Sequence, residues 1–130
     1  MAIKKLGFVA VMTASLLVLA GCASGPDNGV DQSKVDKAAQ ALLPAEYLEN
    51  GIDVASDIPY EPFEYIDENG VLTGVDVELA ALISEKLGTE LRINDAVFDT
   101  IIASLESGTN DIIISSMSDT VERQAKVCLL

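Results

Sequence analysis

The side chains best suited to chemistry lie between residues 115 and 123, where the sequence reads SSMSDTVER. A run of three isoleucines precedes this segment, and a single guanidinium, Arg123, ends it. A strand end followed by a helix start exposes backbone N–H groups, and a guanidinium offers a planar pair of donors that matches a carboxylate. The pattern therefore predicts a site for a small carboxylate. Its hydroxyl residues are Ser115, Ser116, Ser118 and Thr120.

A second candidate segment covers residues 56–64, reads SDIPYEPFE and follows another apolar stretch. Tyr60 would pack its ring on the aliphatic part of a ligand or stack over a cationic group. Asp57 would face a positively charged end of that ligand. The structural alternative makes Tyr60 a rim aromatic between two prolines and Asp57 a turn residue.

The residues of segment 115–123 have structural alternatives as well. Arg123 would then be an exposed helix arginine paired with Glu122 or Asp119. Ser116 and Ser118 would act as caps of the helix start, since serine is common there. A cap and a ligand contact can coexist, so both interpretations stay open for the serines.

Both segments, together with GVDVELA at residues 74–80, resemble family 3 of the extracellular solute-binding proteins. These are amino-acid receptors of ATP-binding-cassette (ABC) importers. The resemblance extends from about Gly51 to Val127. It implies a free amino acid, expected to be polar, as ligand, the permease subunits of an importer as partner, no enzymatic activity and no cofactor.

The resemblance also implies roles for individual residues. Arg123 falls on the arginine that grips the α-carboxylate of the ligand in the family. Ser118 would donate to the same carboxylate, and Ser116 would contact the α-amino group through its carbonyl. Asp57 and Tyr60 fall on ligand-facing positions after the first strand. Phe98 matches a position that often places an apolar or aromatic side chain against the ligand, although it would equally suit the core.

The N-terminus predicts export. Two lysines precede an apolar run at residues 6–20, which is too short for a membrane span and typical of a secretory signal. The tetrad from Leu19 to Cys22 reads LAGC and resembles the lipobox of bacterial lipoproteins. It implies cleavage before Cys22 and a lipid anchor on its sulfur at the outer face of the cell membrane. The alternative is an ordinary signal peptide with a chance cysteine.

Charge and cysteine content exclude several functions. The formal net charge of −13 argues against binding to nucleic acid and against adsorption to anionic lipid headgroups. The chain has no histidine and two cysteines, Cys22 and Cys128, so we expect no metal site. If Cys22 carries lipid, Cys128 has no disulfide partner.

The expected organisation is a signal peptide at residues 1–21, a tether with a short helix at 22–50, and a partial lobe at 51–130. The helix is placed at 33–43, with Ser33 as its cap. Within the lobe, strands are predicted at 52–56, 89–93 and 111–115, with helices between them. This strand–helix alternation indicates an α/β fold with a mainly parallel sheet, as in type II periplasmic binding proteins.

Several local features accompany this prediction. A hairpin is expected at 63–73, turning at Asn69-Gly70. Asp76 is expected to cap the helix at 75–87, and Glu64 to lie on the solvent face of a strand. That helix is expected to bury one apolar face, made of Val75, Leu79, Leu82, Ile83 and Leu87.

After Val127 the sequence departs from the family pattern. A second lobe, which would close over the ligand, is not present in residues 1–130. We expect one lobe by itself to bind weakly, because half of the enclosure is missing. Two other functions remain open: an enzyme resembling cyclohexadienyl dehydratases, which share the arginine-bearing motif, or a truncated product without function.

Overall fold

The computed structural model describes residues 31–130. The predicted signal peptide and Cys22 lie outside the described residues. The strands are β1 (Ile52–Ser56), β2 (Tyr65–Ile66), β3 (Leu72–Thr73), β4 (Leu91–Asp95) and β5 (Ile112–Ile113). The helices are α1 (Lys37–Gln40), α2 (Ala45–Asn50), α3 (Val75–Leu87), α4 (Ile101–Glu106) and α5 (Val121–Gln124), with a 3-10 turn at Phe98–Thr100 before α4.

A parallel three-stranded sheet in the order β4-β1-β5 forms the centre of the fold. Ile52 pairs with Leu91 at one end of β1, and Ser56 pairs with Asp95 at the other. The predicted α/β fold with a parallel sheet is therefore confirmed. Because the strands are parallel, their carboxyl ends lie at one edge, and the loops that follow them are neighbours.

The hairpin predicted at 63–73 is present as the antiparallel pair β2 and β3. The Asp67 carboxylate organises its turn by accepting from the backbone N–H groups of Asn69 and Val71, at 2.9 and 2.8 Å. Gly70 has φ of 80°, a conformation that glycine adopts without steric cost.

The N-terminal helices differ from the prediction. Helix α1 is shorter than expected, and its cap is Asp36, which accepts from the N–H groups of Ala38 and Ala39, rather than Ser33. Helix α2, which begins after Pro44, was not predicted. Proline suits a helix start because its ring fixes φ near the helical value and the missing N–H has no intrahelical partner there.

The start of α3 corrects the prediction for Asp76. Gly74 precedes the helix with φ of 127°, and a side chain there would overlap the Phe63 carbonyl. Asp76 lies inside the first turn and is buried, so it does not cap the helix.

The core is small and centred on β1. Its buried apolar residues are Ile52, Val54, Ala55, Ala80 and Ile101. None of the helices in residues 31–130 has both the length and the apolar character needed to cross a membrane.

The predicted apolar face of α3 is wrong for three of its five members. Val75, Leu79 and Leu82 are exposed, whereas Asp76 and Ala80 are buried. The predicted apolar face and the buried face of α3 both fit the helical period. Contacts with the hairpin and the sheet, rather than hydrophobicity, determine which face is buried.

Candidate functional site

Three loops meet at the carboxyl edge of the sheet. The backbone N–H of Asp57, just after β1, donates to Ser115 Oγ after β5 at 3.0 Å. Ser56 Oγ donates to the Ile114 carbonyl at 2.7 Å. The Ile58 N–H donates to Asp95 Oδ1 at the end of β4, at 3.2 Å. These bonds hold the two predicted ligand segments side by side.

Arg123 lies in α5, which begins after Thr120 because the Thr120 hydroxyl accepts from the Arg123 N–H at 3.3 Å. Its Nη1 donates to the Ser118 carbonyl at 2.7 Å, and its guanidinium carbon lies 5.2 Å from the centre of the Phe98 ring. The fold thus brings together three predicted site residues that are not adjacent in the sequence, Phe98, Ser118 and Arg123.

The structural alternative for Arg123 was an ion pair with Glu122 or Asp119. Within residues 31–130, no carboxylate forms a salt bridge with Arg123. Asp119 instead accepts two bonds from the Gln124 side chain, at 2.7 and 2.9 Å. In the described part of the chain Nε and Nη2 of Arg123 make no hydrogen bond, which leaves donors for a ligand carboxylate.

Ser116 and Ser118 differ in how their hydroxyls are used. Ser116 Oγ donates to Asp76 Oδ2 at 3.0 Å, and the Ser116 backbone is left-handed with φ of 43°. The Ser118 hydroxyl has no partner among the described residues, and this residue is exposed. Ser118 therefore has a hydroxyl to offer, while Ser116 has its backbone.

Tyr60 is half exposed and stacks on Phe63, with ring centres 5.2 Å apart and an angle of 25° between the planes. Its backbone bridges to Glu64 in both directions. The stacking is compatible with a ligand platform and with a rim aromatic, so the role of Tyr60 stays a prediction. Asp57 is partly exposed and its carboxylate makes no bond within the described residues.

Glu64 was predicted to lie on the solvent face of a strand, but it is fully buried. Ser115 Oγ donates to its Oε1 at 2.6 Å. Burial raises the pKa of Glu64, the Ser115 hydrogen bond lowers it, and the nearby Asp76 carboxylate raises it further. Sequence reasoning missed this contact because Ser115 stands 51 residues from Glu64, and neither neighbourhood signals the pairing.

The opposite, amino end of the sheet holds an open depression of about 230 Å³ lined by charged residues of α2, β1 and β4. Its one cation, Arg92, forms a two-pronged contact with Asp53, whereas the lining acids Glu46 and Asp111 form no ion pair within residues 31–130. None of the predicted ligand residues lines it. No grouping of three or more histidine, cysteine or acidic side chains suited to a metal occurs within residues 31–130.

Comparison with known proteins identifies the family. The sequence profile of the bacterial extracellular solute-binding proteins, family 3, matches residues 52–129. The L-cystine-binding protein TcyA of Bacillus subtilis is 33% identical over 119 residues, which is 90% of this chain and 43% of that protein. The histidine-binding periplasmic protein of Escherichia coli is 32% identical over 90 residues, which is 69% of this chain and 33% of that protein. The chain thus spans less than half the length of these curated relatives.

Solved structures show the same relationship. The arginine-bound form of domain 1 of the T. maritima arginine-binding protein superposes with a TM-score of 0.60 at 40% identity, over 64% of this chain and 66% of that one. The ancestral amino-acid-binding protein AncCDT-1, described as a precursor of cyclohexadienyl dehydratase, superposes with a TM-score of 0.59 at 35% identity, over 62% of this chain and 36% of that one. The chain therefore belongs to family 3 of the bacterial extracellular solute-binding proteins.

Proposed function

We propose that this chain forms one lobe of a receptor that captures a free polar amino acid for an ABC importer. The observation that carries the proposal is Arg123. Its guanidinium faces Phe98, is held by the Ser118 carbonyl, and has no carboxylate partner in residues 31–130. An arginine oriented in this way, with donors left over, suits an incoming carboxylate.

In this proposal the ligand's α-carboxylate accepts from Nε and Nη2 of Arg123. The Ser118 hydroxyl donates to the same carboxylate. The Ser116 carbonyl accepts from the α-amino group, since its hydroxyl is already bound to Asp76. These groups recognise the part that all amino acids share.

The side-chain end of the ligand would meet Asp57, Tyr60 and Phe98. The Asp57 carboxylate favours a cationic group, and the two rings supply apolar or cation–π contact. Relatives with similar sequence are named as arginine-binding proteins in Chlamydia trachomatis and B. subtilis. We therefore take arginine as the first ligand to test.

One lobe offers fewer contacts than a closed pair of lobes, and an exposed ion pair contributes only about 0–1 kcal/mol. We thus expect the lobe formed by residues 31–130 alone to bind more weakly than a two-lobed relative. The arginine-bound form of domain 1 of the T. maritima protein supports ligand contact by one lobe. Detection should therefore use a method suited to millimolar affinity.

The test is a nuclear magnetic resonance titration of the purified chain with the twenty amino acids and with decarboxylated arginine. Arginine should shift the amide resonances of residues 115–123, and the decarboxylated analogue should not, because it has nothing for Arg123 to hold. Equal shifts with both compounds, or no saturable shift with any amino acid, would refute carboxylate recognition.

We further propose that Cys22 carries a lipid that anchors the protein at the outer face of the membrane, with the segment before α1 as a tether. The sequence LAGC and the preceding apolar run support this. Metabolic labelling with a palmitate analogue should mark the chain and Cys22→Ser should not be marked, whereas Cys128→Ser should keep the label. Label that survives Cys22→Ser excludes this position.

The second candidate is an enzyme of the cyclohexadienyl dehydratase type. Its support is the superposition on a protein described as a precursor of that enzyme. However, the Glu64 and Asp76 carboxyls are buried beneath the candidate site rather than exposed in it. Dehydration of a cyclohexadienyl substrate by the purified chain would favour this candidate over the receptor.

A further inference from the structure

Two buried acids lie directly beneath the candidate site. Glu64 is fully buried and accepts from Ser115 Oγ at 2.6 Å, while its other oxygen, Oε2, has no hydrogen-bond partner among the described residues. Asp76, buried in the first turn of α3, accepts from Ser116 Oγ at 3.0 Å. Consecutive serines of the ligand segment thus point down onto two different carboxyl groups.

Hydrogen bonds connect Glu64 to both predicted ligand segments. Ser115 Oγ, which donates to Glu64, also accepts from the backbone N–H of Asp57 at 3.0 Å. Glu64 is therefore connected through one hydroxyl to the loop after β1 and to the loop after β5. Asp76 holds Ser116, whose left-handed backbone is a conformation that a serine keeps only where surrounding contacts enforce it.

The surroundings of Glu64 show which charges act on it. Strand β1 contributes the Ser56 hydroxyl, the loop after β5 contributes the Ser115 hydroxyl, and α3 contributes the Asp76 carboxyl. Asp76 is the ionisable group among these neighbours, and it is an acid. A negative charge on Glu64 would be buried and would lie next to a second acid, so the pKa of Glu64 is raised above its ordinary value.

We propose that Glu64 and Asp76 are positioning residues of the amino-acid site: Glu64 fixes Ser115 and the Asp57 loop, and Asp76 fixes Ser116. The expected effect of Glu64 and Asp76 on ligand binding rests on the proposed receptor function. Their expected effect on the two loops does not. Neither acid needs to touch the ligand.

A pH dependence follows. Burial and Asp76 raise the pKa of Glu64, and ionisation above that pKa places two carboxylates together and disturbs both loops. Ligand affinity should then fall as the pH rises, by at most about tenfold per pH unit for a single proton. Glu64→Gln keeps an acceptor for Ser115 and cannot ionise, so this variant should lose the dependence.

The experiment measures arginine affinity by resonance titration at several pH values from about 5 to about 8, above the ordinary range of carboxyl groups. The wild-type chain is compared with Glu64→Gln and with Glu61→Gln, an exposed acid three residues upstream. The ratio of wild-type to variant affinity cancels the ligand's own titration. The ratio should fall with pH for Glu64→Gln and stay constant for Glu61→Gln. A constant ratio for Glu64→Gln would overturn the positioning role.

A readout without ligand separates this inference from the receptor proposal. The Asp57 amide resonance should titrate with pH in the wild-type chain and not in Glu64→Gln. In Asp76→Asn the midpoint should move to lower pH, because the charge that raises the pKa of Glu64 is gone. If arginine does not bind but these shifts occur, the receptor proposal fails and the positioning role stands. Identical Asp57 titration in wild type and Glu64→Gln refutes the positioning role whether or not arginine binds.

Discussion

Two arginines at opposite ends of the same sheet have opposite surroundings. At the amino end, Arg92 of β4 donates through Nε and Nη2 to the two oxygens of Asp53, at 3.1 and 3.0 Å. Its Nη1 also contacts the Asn50 carbonyl and lies 3.9 Å from Glu90 Oε2. At the carboxyl end, Arg123 has an aromatic ring and a carbonyl, and no carboxylate within residues 31–130.

Both arginines are partly exposed, so burial does not distinguish them. The difference is in the chemistry of their partners. The guanidinium of Arg92 already binds a carboxylate, the planar acceptor that it matches. The groups that orient Arg123 leave its Nε and Nη2 without a hydrogen bond in the described part of the chain. A guanidinium without its acceptor, at the edge where loops converge, is the better candidate for ligand recognition.

The largest expected effect is on ligand affinity. Arg123→Ala should weaken arginine binding by up to about fivefold in this one lobe, since an exposed ion pair contributes about 0–1 kcal/mol. In a two-lobed form the loss should be at least about tenfold, since an enclosed charge-assisted contact commonly contributes about 1.5–3 kcal/mol. Arg123→Lys should recover only part of the affinity, because lysine lacks the planar pair of donors. Titration of both variants measures this, with Lys126→Ala as an exposed-cation control. Unchanged affinity in Arg123→Ala would make Arg123 an ordinary surface residue like Arg92.

A smaller effect is expected when the ring beneath Arg123 is removed. Phe98→Leu keeps an apolar side chain but loses the cation–π contact, which at an exposed site contributes about 0.5–1 kcal/mol. Arginine affinity should fall about two- to fivefold by the same titration, with wild-type stability in urea unfolding. If affinity falls in proportion to stability, Phe98 serves packing and not the orientation of Arg123.

The converse holds at the amino end. Arg92→Ala should lower the free energy of unfolding by about 0–1 kcal/mol, since its pair with Asp53 is more than one third exposed and screened by water. Arginine affinity should not change. Urea unfolding at low and high salt, compared with Arg123→Ala, measures the difference. Loss of binding in Arg92→Ala would show that the two ends of the sheet are not independent.

The smallest expected effect is on the pH dependence of stability, and its sign differs between the two ends. Hydrogen bonds from Arg92 and Asn94 lower the pKa of Asp53, so its stabilisation is present above about pH 4 and is lost as the pH falls through the lowered pKa. The pKa of Glu64 is raised, so its folded state holds the extra proton, and stability falls as the pH rises through that pKa.

Urea unfolding across pH tests both signs. Arg92→Ala should flatten the acid side of the stability profile, and Glu64→Gln should flatten the side above Glu64's ordinary pKa. Loss of stability toward low pH that is the same in Arg92→Ala and wild type would exclude the Asp53 contribution.

Local sequence determined several elements by itself. Strand β1 is found where it was predicted, because a short stretch rich in apolar residues that follows Gly51 and ends at polar residues is typical of a strand. The hairpin is also present where Asn69-Gly70 predicts it, since few residues accept a positive φ. The motif SSMSDTVER, together with SDIPYEPFE and GVDVELA, identified the family without any tertiary information.

Tertiary structure decided the face that α3 buries and the burial of Glu64. Both depend on partners far away in sequence: Glu64 meets Ser115 51 positions later, and Asp76 meets Ser116 40 positions later. Hydropathy assigns acids to the surface, and only a hydrogen-bond donor supplied by another segment makes their burial tolerable.

The same distinction separates the two arginines. Sequence alone left Arg123 open to an ion pair with Glu122 or Asp119 and did not single out Arg92. Only the fold places Asp53 against Arg92 and the Phe98 ring against Arg123. Residue type determined that each guanidinium can bind a carboxylate. The packing of distant segments decided that Arg92, and not Arg123, already has one. Strand pairing and loop proximity arise from contacts between segments that are distant in sequence, and local sequence does not encode these contacts.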